Sequence, residues 1–316
     1  MPHYLALLIL LALALPARGS PHKNGFDLED ALLPVDEIRQ GGPPRDGIPA
    51  IDRPRFETPR EAAWLKPHDR VLGIEHGGTT RAYPIRILDW HEIVNDRIGA
   101  DPVVVSYCPL CGTGVAFRLP GSRESGGFGV SGLLYNSDVL LYDRASESLW
   151  SQILMQAVSG PRKGERFDPL PLEHTTWQDW RERHPDTRVL SRDTGHRRDY
   201  DRGAYGDYAQ SKGLYFPVSN LDRRYHPKEW VLGIVIDGDA RVWPFSELAS
   251  SKPPIHDHVG GQEVEVRFDK ANGNARLLDS DGRPLPALTG YWFAWMAFHP
   301  DSRVFTAGRT APAAMD

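Results

Sequence analysis

The sequence predicts a β-rich α+β protein of two related lobes from an internal duplication, built of short strands and hairpins with a few short helices. Three observations lead there. Thirty glycines and 27 prolines, with nine tryptophans and eleven tyrosines, favour short strands and many turns over a helical bundle. Val71-Leu72-Gly73-Ile74 returns as Val231-Leu232-Gly233-Ile234, and Tyr83-Pro84 as Trp243-Pro244, each 160 positions later. Trp177, Trp180 and His184-Pro185-Asp186 return as Trp292, Trp295 and His299-Pro300-Asp301, now 115 positions apart. The shorter offset places an insertion of about 46 residues in the first copy, between Phe117 and Thr175.

The chain opens with an apolar run, Leu5 to Leu15, followed by the small residues Ala17 and Gly19. Such a run suits a secretory signal over residues 1–19 and is too short to span a bilayer. A periplasmic or secreted location is therefore expected, with no stable membrane span after cleavage. Residues 20–52 are polar and rich in Gly and Pro, and are expected to form a flexible N-terminal segment.

The first lobe, residues 53–192, starts with a hairpin in which Val71–Glu75 and Thr80–Tyr83 flank the turn residues His76-Gly77-Gly78. A short helix follows Pro84, with Ile85, Leu88 and Ile93 near helical spacing. Next come strands at Val103–Tyr107 and Val115–Phe117, then the inserted strands Phe128–Leu134, Val139–Asp143 and Ser148–Ile153. Trp177–Arg183 reads as a helix that stops before Pro185, because the residue preceding a proline leaves the helical region. Residues 193–227, charge-dense from Arg192 to Arg202, form a connector. The smaller second lobe, residues 228–309, repeats the hairpin around Asp237-Gly238-Asp239, and residues 310–316 are a tail. Net charge is −5 with dispersed basic residues, so nothing marks a nucleic-acid surface.

The only two cysteines lie in Cys108-Pro109-Leu110-Cys111-Gly112, a spacing at which one tight turn lets both sulfurs grip one ion. Gly112 permits the positive φ such a turn needs. In the second copy Asp269 and Asn272 stand where the cysteines do, so the sulfur pair is an addition to the repeated scaffold. His91, on the helix just before the cysteine strand, is the expected third ligand. The cofactor is thus one metal ion, copper or zinc. Further ligands or supporting groups are sought at Gln152, Met155, Asp138, His76 and Glu92.

The function so indicated is exported metal binding, with a redox or metal-handling role and a metal-donor or redox partner protein. A thiol–disulfide oxidoreductase using Cys108 and Cys111 is the alternative, although such motifs sit at a helix N-terminus and here Gly112-Thr113-Gly114 and a strand follow. In a third reading the aromatic residues form a binding platform and the cysteine turn is structural. No Gly-x-Ser-x-Gly or His-Glu-x-x-His motif supports hydrolase chemistry, and whether the chain is an enzyme stays open.

The segments Ile87-Leu88-Asp89-Trp90-His91-Glu92-Ile93-Val94-Asn95-Asp96, Val105-Ser106-Tyr107-Cys108-Pro109-Leu110-Cys111-Gly112-Thr113, Phe128-Gly129-Val130-Ser131-Gly132, Tyr142-Asp143-Arg144 and Leu149-Trp150-Ser151-Gln152 resemble a family of exported bacterial and archaeal proteins catalogued as domain of unknown function 3179. The resemblance runs from about Asp46 to Arg309. It implies that the histidine, both cysteines and the Trp-Ser-Gln segment belong to the family pattern, and it implies no activity.

Overall fold

Both hairpins form in matching register in a computed structural model that describes residues 21–119 and 126–308. Arg70–His76 pairs antiparallel with Thr79–Pro84, setting Val71 opposite Pro84 and Leu72 opposite Tyr83; Trp230–Ile236 and Asp239–Pro244 set Val231 opposite Pro244 and Leu232 opposite Trp243. In each case the proline caps a short helix, Ile85–His91 and Phe245–Leu248, because its fixed φ suits a helix start and its missing N–H costs nothing there. Both lobes then run through a three-stranded antiparallel meander: Ile93–Ile98, Asp101–Cys108 and Thr113–Arg118 in the first, Ile255–Val259, Gln262–Asp269 and Asn274–Asp279 in the second.

Each lobe closes with a strand, a Trp-bearing helix and a short parallel strand. Glu173–Thr176 lies beside Arg70–His76 and leads into the helix Trp177–Arg183, after which Arg188–Leu190 pairs parallel with Thr79–Pro84. Leu288–Tyr291, the helix Trp292–Phe298 and Arg303–Val304 repeat this around the second hairpin. Trp180 lies across Gly73 and Trp295 across Gly233, so neither glycine has room for a Cβ. The indole N–H groups donate to Thr187 Oγ1 and Ser302 Oγ at 3.0 and 2.8 Å.

The lobes share one sheet, joined where Thr289 of Leu288–Tyr291 pairs with Gly114 of Thr113–Arg118. The inserted strands, Phe128–Tyr135, Asp138–Asp143, Leu149–Ser151 and Gln156–Ser159, form their own antiparallel sheet over the cysteine strand. Arg39–Gln40 extends that sheet, and Phe26, Leu28 and Ile38 are buried against Leu133, Leu140 and Tyr142. Residues 21–52 pack against this sheet, their scattered apolar side chains covering its outer face. In residues 193–227, Tyr200 and Tyr208 are buried.

The helix ends earlier than the apolar spacing suggests. Ile93 belongs to the next strand, because Glu92 takes a left-handed conformation (φ 57°) and its N–H closes the last turn on the Leu88 carbonyl at 2.8 Å. The apolar run Leu5–Leu15 and the tail lie outside the described residues. Among the described residues, no helix is long and apolar enough to cross a membrane.

Candidate metal centre

Cys108 ends its strand, and the chain turns so that the Cys111 N–H donates to the Cys108 carbonyl at 3.2 Å before Thr113 re-enters the sheet opposite Cys108. Gly112 has φ +64°, and a Cβ there would press on Tyr291 and Trp230. The turn is thus the tight knuckle its spacing predicts, held at the junction of the lobes by a hydrogen bond from the Tyr291 N–H to the Cys111 carbonyl at 2.8 Å.

The third member of the cluster comes from the insertion. Asn136 and Ser137 form the two-residue turn between the inserted strands, with φ 50° and 64°, the both-positive pattern of a type I′ hairpin. Asparagine tolerates that conformation, whereas serine is strained in it. Side-chain bonds hold the turn in place: Asn136 Nδ2 donates to the Ala297 carbonyl at 3.1 Å, Asn136 Oδ1 accepts from the Ser219 N–H at 2.7 Å, and the Ser137 hydroxyl donates to the Phe216 carbonyl at 2.8 Å. The Cys108 thiol approaches the Ser137 carbonyl at 3.8 Å, and the next residue, Asp138, turns its carboxyl to the sulfurs. One donor atom from each of Cys108, Cys111 and Asp138 lies within 4.8 Å of the others, and all three residues are buried.

Asp138 is oriented by the residues behind it. Its carboxyl accepts from the Thr113 hydroxyl and from the Ile153 N–H, both at 3.3 Å. The same hydroxyl also contacts Gln152 Oε1, and Gln152 Nε2 donates to the Ser106 hydroxyl at 3.1 Å. Gln152 therefore supports the site through Thr113.

Burial governs the charges here. It pushes the Asp138 carboxyl up to about 7, against hydrogen bonds that lower it. Burial likewise raises the Cys108 thiol, with the Asp138 and Glu92 carboxylates adding to the rise, and it raises Cys111 well above the ordinary thiol range. Two thiols and a carboxyl are thus packed together with another acid, Glu92, as neighbour. A divalent cation would satisfy all three at once, which is the fit expected of a metal site.

His91 is not in this group. Its Nδ1 faces the Pro49 carbonyl at 2.7 Å, so that nitrogen carries the proton, and Nε2 accepts from the Tyr200 hydroxyl at 2.7 Å. Tyr200 in turn contacts Thr194 Oγ1 at 2.6 Å. With both nitrogens engaged the ring keeps no lone pair for an ion, while Asp138 stands beside the sulfurs where His91 was expected. Burial lowers its pKa to about 4, so it stays neutral.

The other candidates scatter. His76 faces Asp101 Oδ2 at 2.6 Å on the first hairpin. Met155 occupies a turn with φ 53° and packs on the main core. Glu92 stands beside the knuckle, its Oε1 accepting from the Tyr205 hydroxyl at 3.3 Å, and burial pushes it up to about 7.

Two features are not visible in the sequence: the connector tyrosines Tyr205 and Tyr208, whose hydroxyls feel the Cys108 thiol, and the buried His174. His174 is 2 % exposed between Tyr107 and Trp230, and neither ring nitrogen has a hydrogen-bond partner among the described residues. Burial and the nearby Arg70 hold its pKa well below the ordinary value. Below pH 6.5 the unfolded chain takes up a proton that the folded ring refuses, so folding stability falls as pH drops. His174→Leu is therefore expected to be more stable than the parent by about 1–2 kcal/mol at pH 7. The margin should widen by about 1.4 kcal/mol for each pH unit below 6.5. Urea unfolding at pH 7 and 5.5 checks both figures, and a variant less stable than the parent refutes them.

No curated protein and no solved structure matches the chain. A family model does match, over residues 45–302, which takes in the knuckle, the inserted strands and both hairpins, and by that match the chain belongs to the family described as protein of unknown function DUF3179.

Proposed function

We propose that this chain is an exported metal-binding protein in which Cys108, Cys111 and Asp138 hold one ion, and that the ion is zinc. The observation that carries the reading is the convergence of two buried sulfurs and one buried carboxylate within 4.8 Å. Zinc accepts thiolate and carboxylate together, whereas Cu(I) prefers an all-soft set, so replacing the expected imidazole by Asp138 shifts the choice away from copper. Three protein ligands leave a fourth position for solvent or a ligand, the arrangement of reactive zinc sites. Bound zinc would supply Lewis acidity there. The protein holds the ion's ligands in place through Thr113, the Ile153 N–H and the Asn136-Ser137 turn. Export is supported by the apolar run at the start of the chain, and a metal-donor protein is the expected partner.

The dithiol redox reading fares less well. A redox cysteine is accessible and has a lowered thiol pKa, but both of these are buried and raised, and a strand, Thr113–Arg118, follows the motif. An aromatic platform is also poorly supported, since Trp177, Trp180, Trp292 and Trp295 are at most 2 % exposed. Protein prepared anaerobically, reduced and stripped of metal, is expected to take up one zinc per chain. Failure to retain stoichiometric zinc overturns the proposal.

A further inference from the structure

A cavity of about 730 Å³ opens beside the knuckle, within the size range of small-molecule sites. Its inner end is formed by Leu110, which lies between the two cysteines, by Val139, which follows Asp138, and by Glu92. Ile48, Val130 and Leu134 make its walls apolar. Its outer end carries Arg197, Arg198 and Asp199 from the connector, with Tyr215, which is 60 % exposed and one of the few large apolar side chains left in water.

The two ends differ in charge. At the mouth, the Asp199 carboxylate accepts from the Asp201 N–H at 3.1 Å, and among the described residues the Arg198 guanidinium donates to the Arg197 carbonyl, also at 3.1 Å. Two guanidinium groups thus face one already engaged carboxylate. At the inner end the ionisable groups are acidic, Glu92 and Asp89. An anion is drawn to the mouth and repelled from the interior, so an amphiphilic anion has one favoured orientation.

We infer that this cavity binds an amphiphilic anion, its carboxylate or phosphate on Arg197 and Arg198 and its apolar body directed inward to Leu110. The inference rests on the metal reading only for what happens at the inner end, since the binding itself needs no ion. A bound molecule of this kind would bring its apolar end against Leu110, between the two cysteines.

The test uses the full mature chain and straight-chain alkyl carboxylates of eight, ten and twelve carbons, with dodecylammonium and dodecanol as controls, followed by calorimetry at low salt. Carboxylates are expected to bind tightest, with affinity rising about fourfold per added methylene. The surface variant R197E/R198E should weaken dodecanoate at least tenfold, favour dodecylammonium over it and leave dodecanol unchanged. Equal binding of the three head groups, no chain-length dependence, or no binding overturns the inference. So does association with anionic vesicles but not with soluble carboxylates, which would assign the arginine pair to a membrane surface. Repeating the titration on the C108S/C111S variant separates the two proposals. Carboxylate binding retained there, in protein that takes up no zinc, supports the cavity independently of the metal.

Discussion

Asp138→Asn is expected to weaken zinc binding by at least a hundredfold, while His91→Gln leaves it within a factor of about three. The asparagine keeps the size of the side chain; its Oδ1 can accept from the Ile153 N–H while its Nδ2 donates to the Thr113 hydroxyl, so the fold should be retained. What disappears is the anionic oxygen that completes the set with Cys108 and Cys111. A neutral amide is a poor zinc donor beside two thiolates, and losing one of three protein ligands costs more than losing a supporting hydrogen bond. His91 differs because its ring is consumed by Pro49 and Tyr200. Its glutamine variant should lose stability through those bonds and keep the metal. Competition against a zinc-sensitive chelator, with urea unfolding of each variant in parallel, distinguishes the two effects. Equal loss of zinc from both variants would return the histidine to the ligand set.

Gly73→Ala is expected to destabilise the protein by about 3 kcal/mol, the upper end of what overpacking usually costs. The added methyl would stand inside the Trp180 ring, which is buried, tied to Thr187 through its N–H and packed against the tilted His184 ring with centroids 4.0 Å apart. The indole has nowhere to retreat without breaking that bond. Gly233→Ala should cost a similar amount, because Trp295 crosses Gly233 in the same way. Thermal unfolding of the two variants checks both, and a loss below about 0.5 kcal/mol in either would show that the packing yields.

Much of this fold is local and therefore legible. The hairpins, the proline-capped helices and the Trp177–Arg183 helix follow from turn residues, alternation and the proline rule, all of which act over a few residues. The knuckle is equally local, since its spacing and Gly112 suffice. The cluster of Cys108, Cys111 and Asp138 is not local. His91 lies on the helix before the cysteine strand, and proximity in sequence suggested it, but the orientation of its ring was settled by Pro49 and by Tyr200 from the connector. Asp138, 27 or more positions from the cysteines, reaches them only because the inserted sheet folds back over their strand and the Asn136-Ser137 turn is pinned to Ala297 and Phe216. Sequence alone offers Asp138 as one candidate among several without showing which way its side chain faces. The same limit applies to residues 20–52, whose apolar side chains are too sparse to show periodicity, and to the connector tyrosines near the thiols. Both are placed by long-range packing that no window of the chain encodes alone.

Zinc-edge X-ray absorption on the anaerobically loaded protein tests the central claim most directly, because it reads the ligand atoms themselves. The account predicts one zinc per chain with two sulfur neighbours, an oxygen neighbour from Asp138, and no imidazole signature. An imidazole in the coordination sphere, fewer than two sulfurs, or protein that holds no zinc would contradict it.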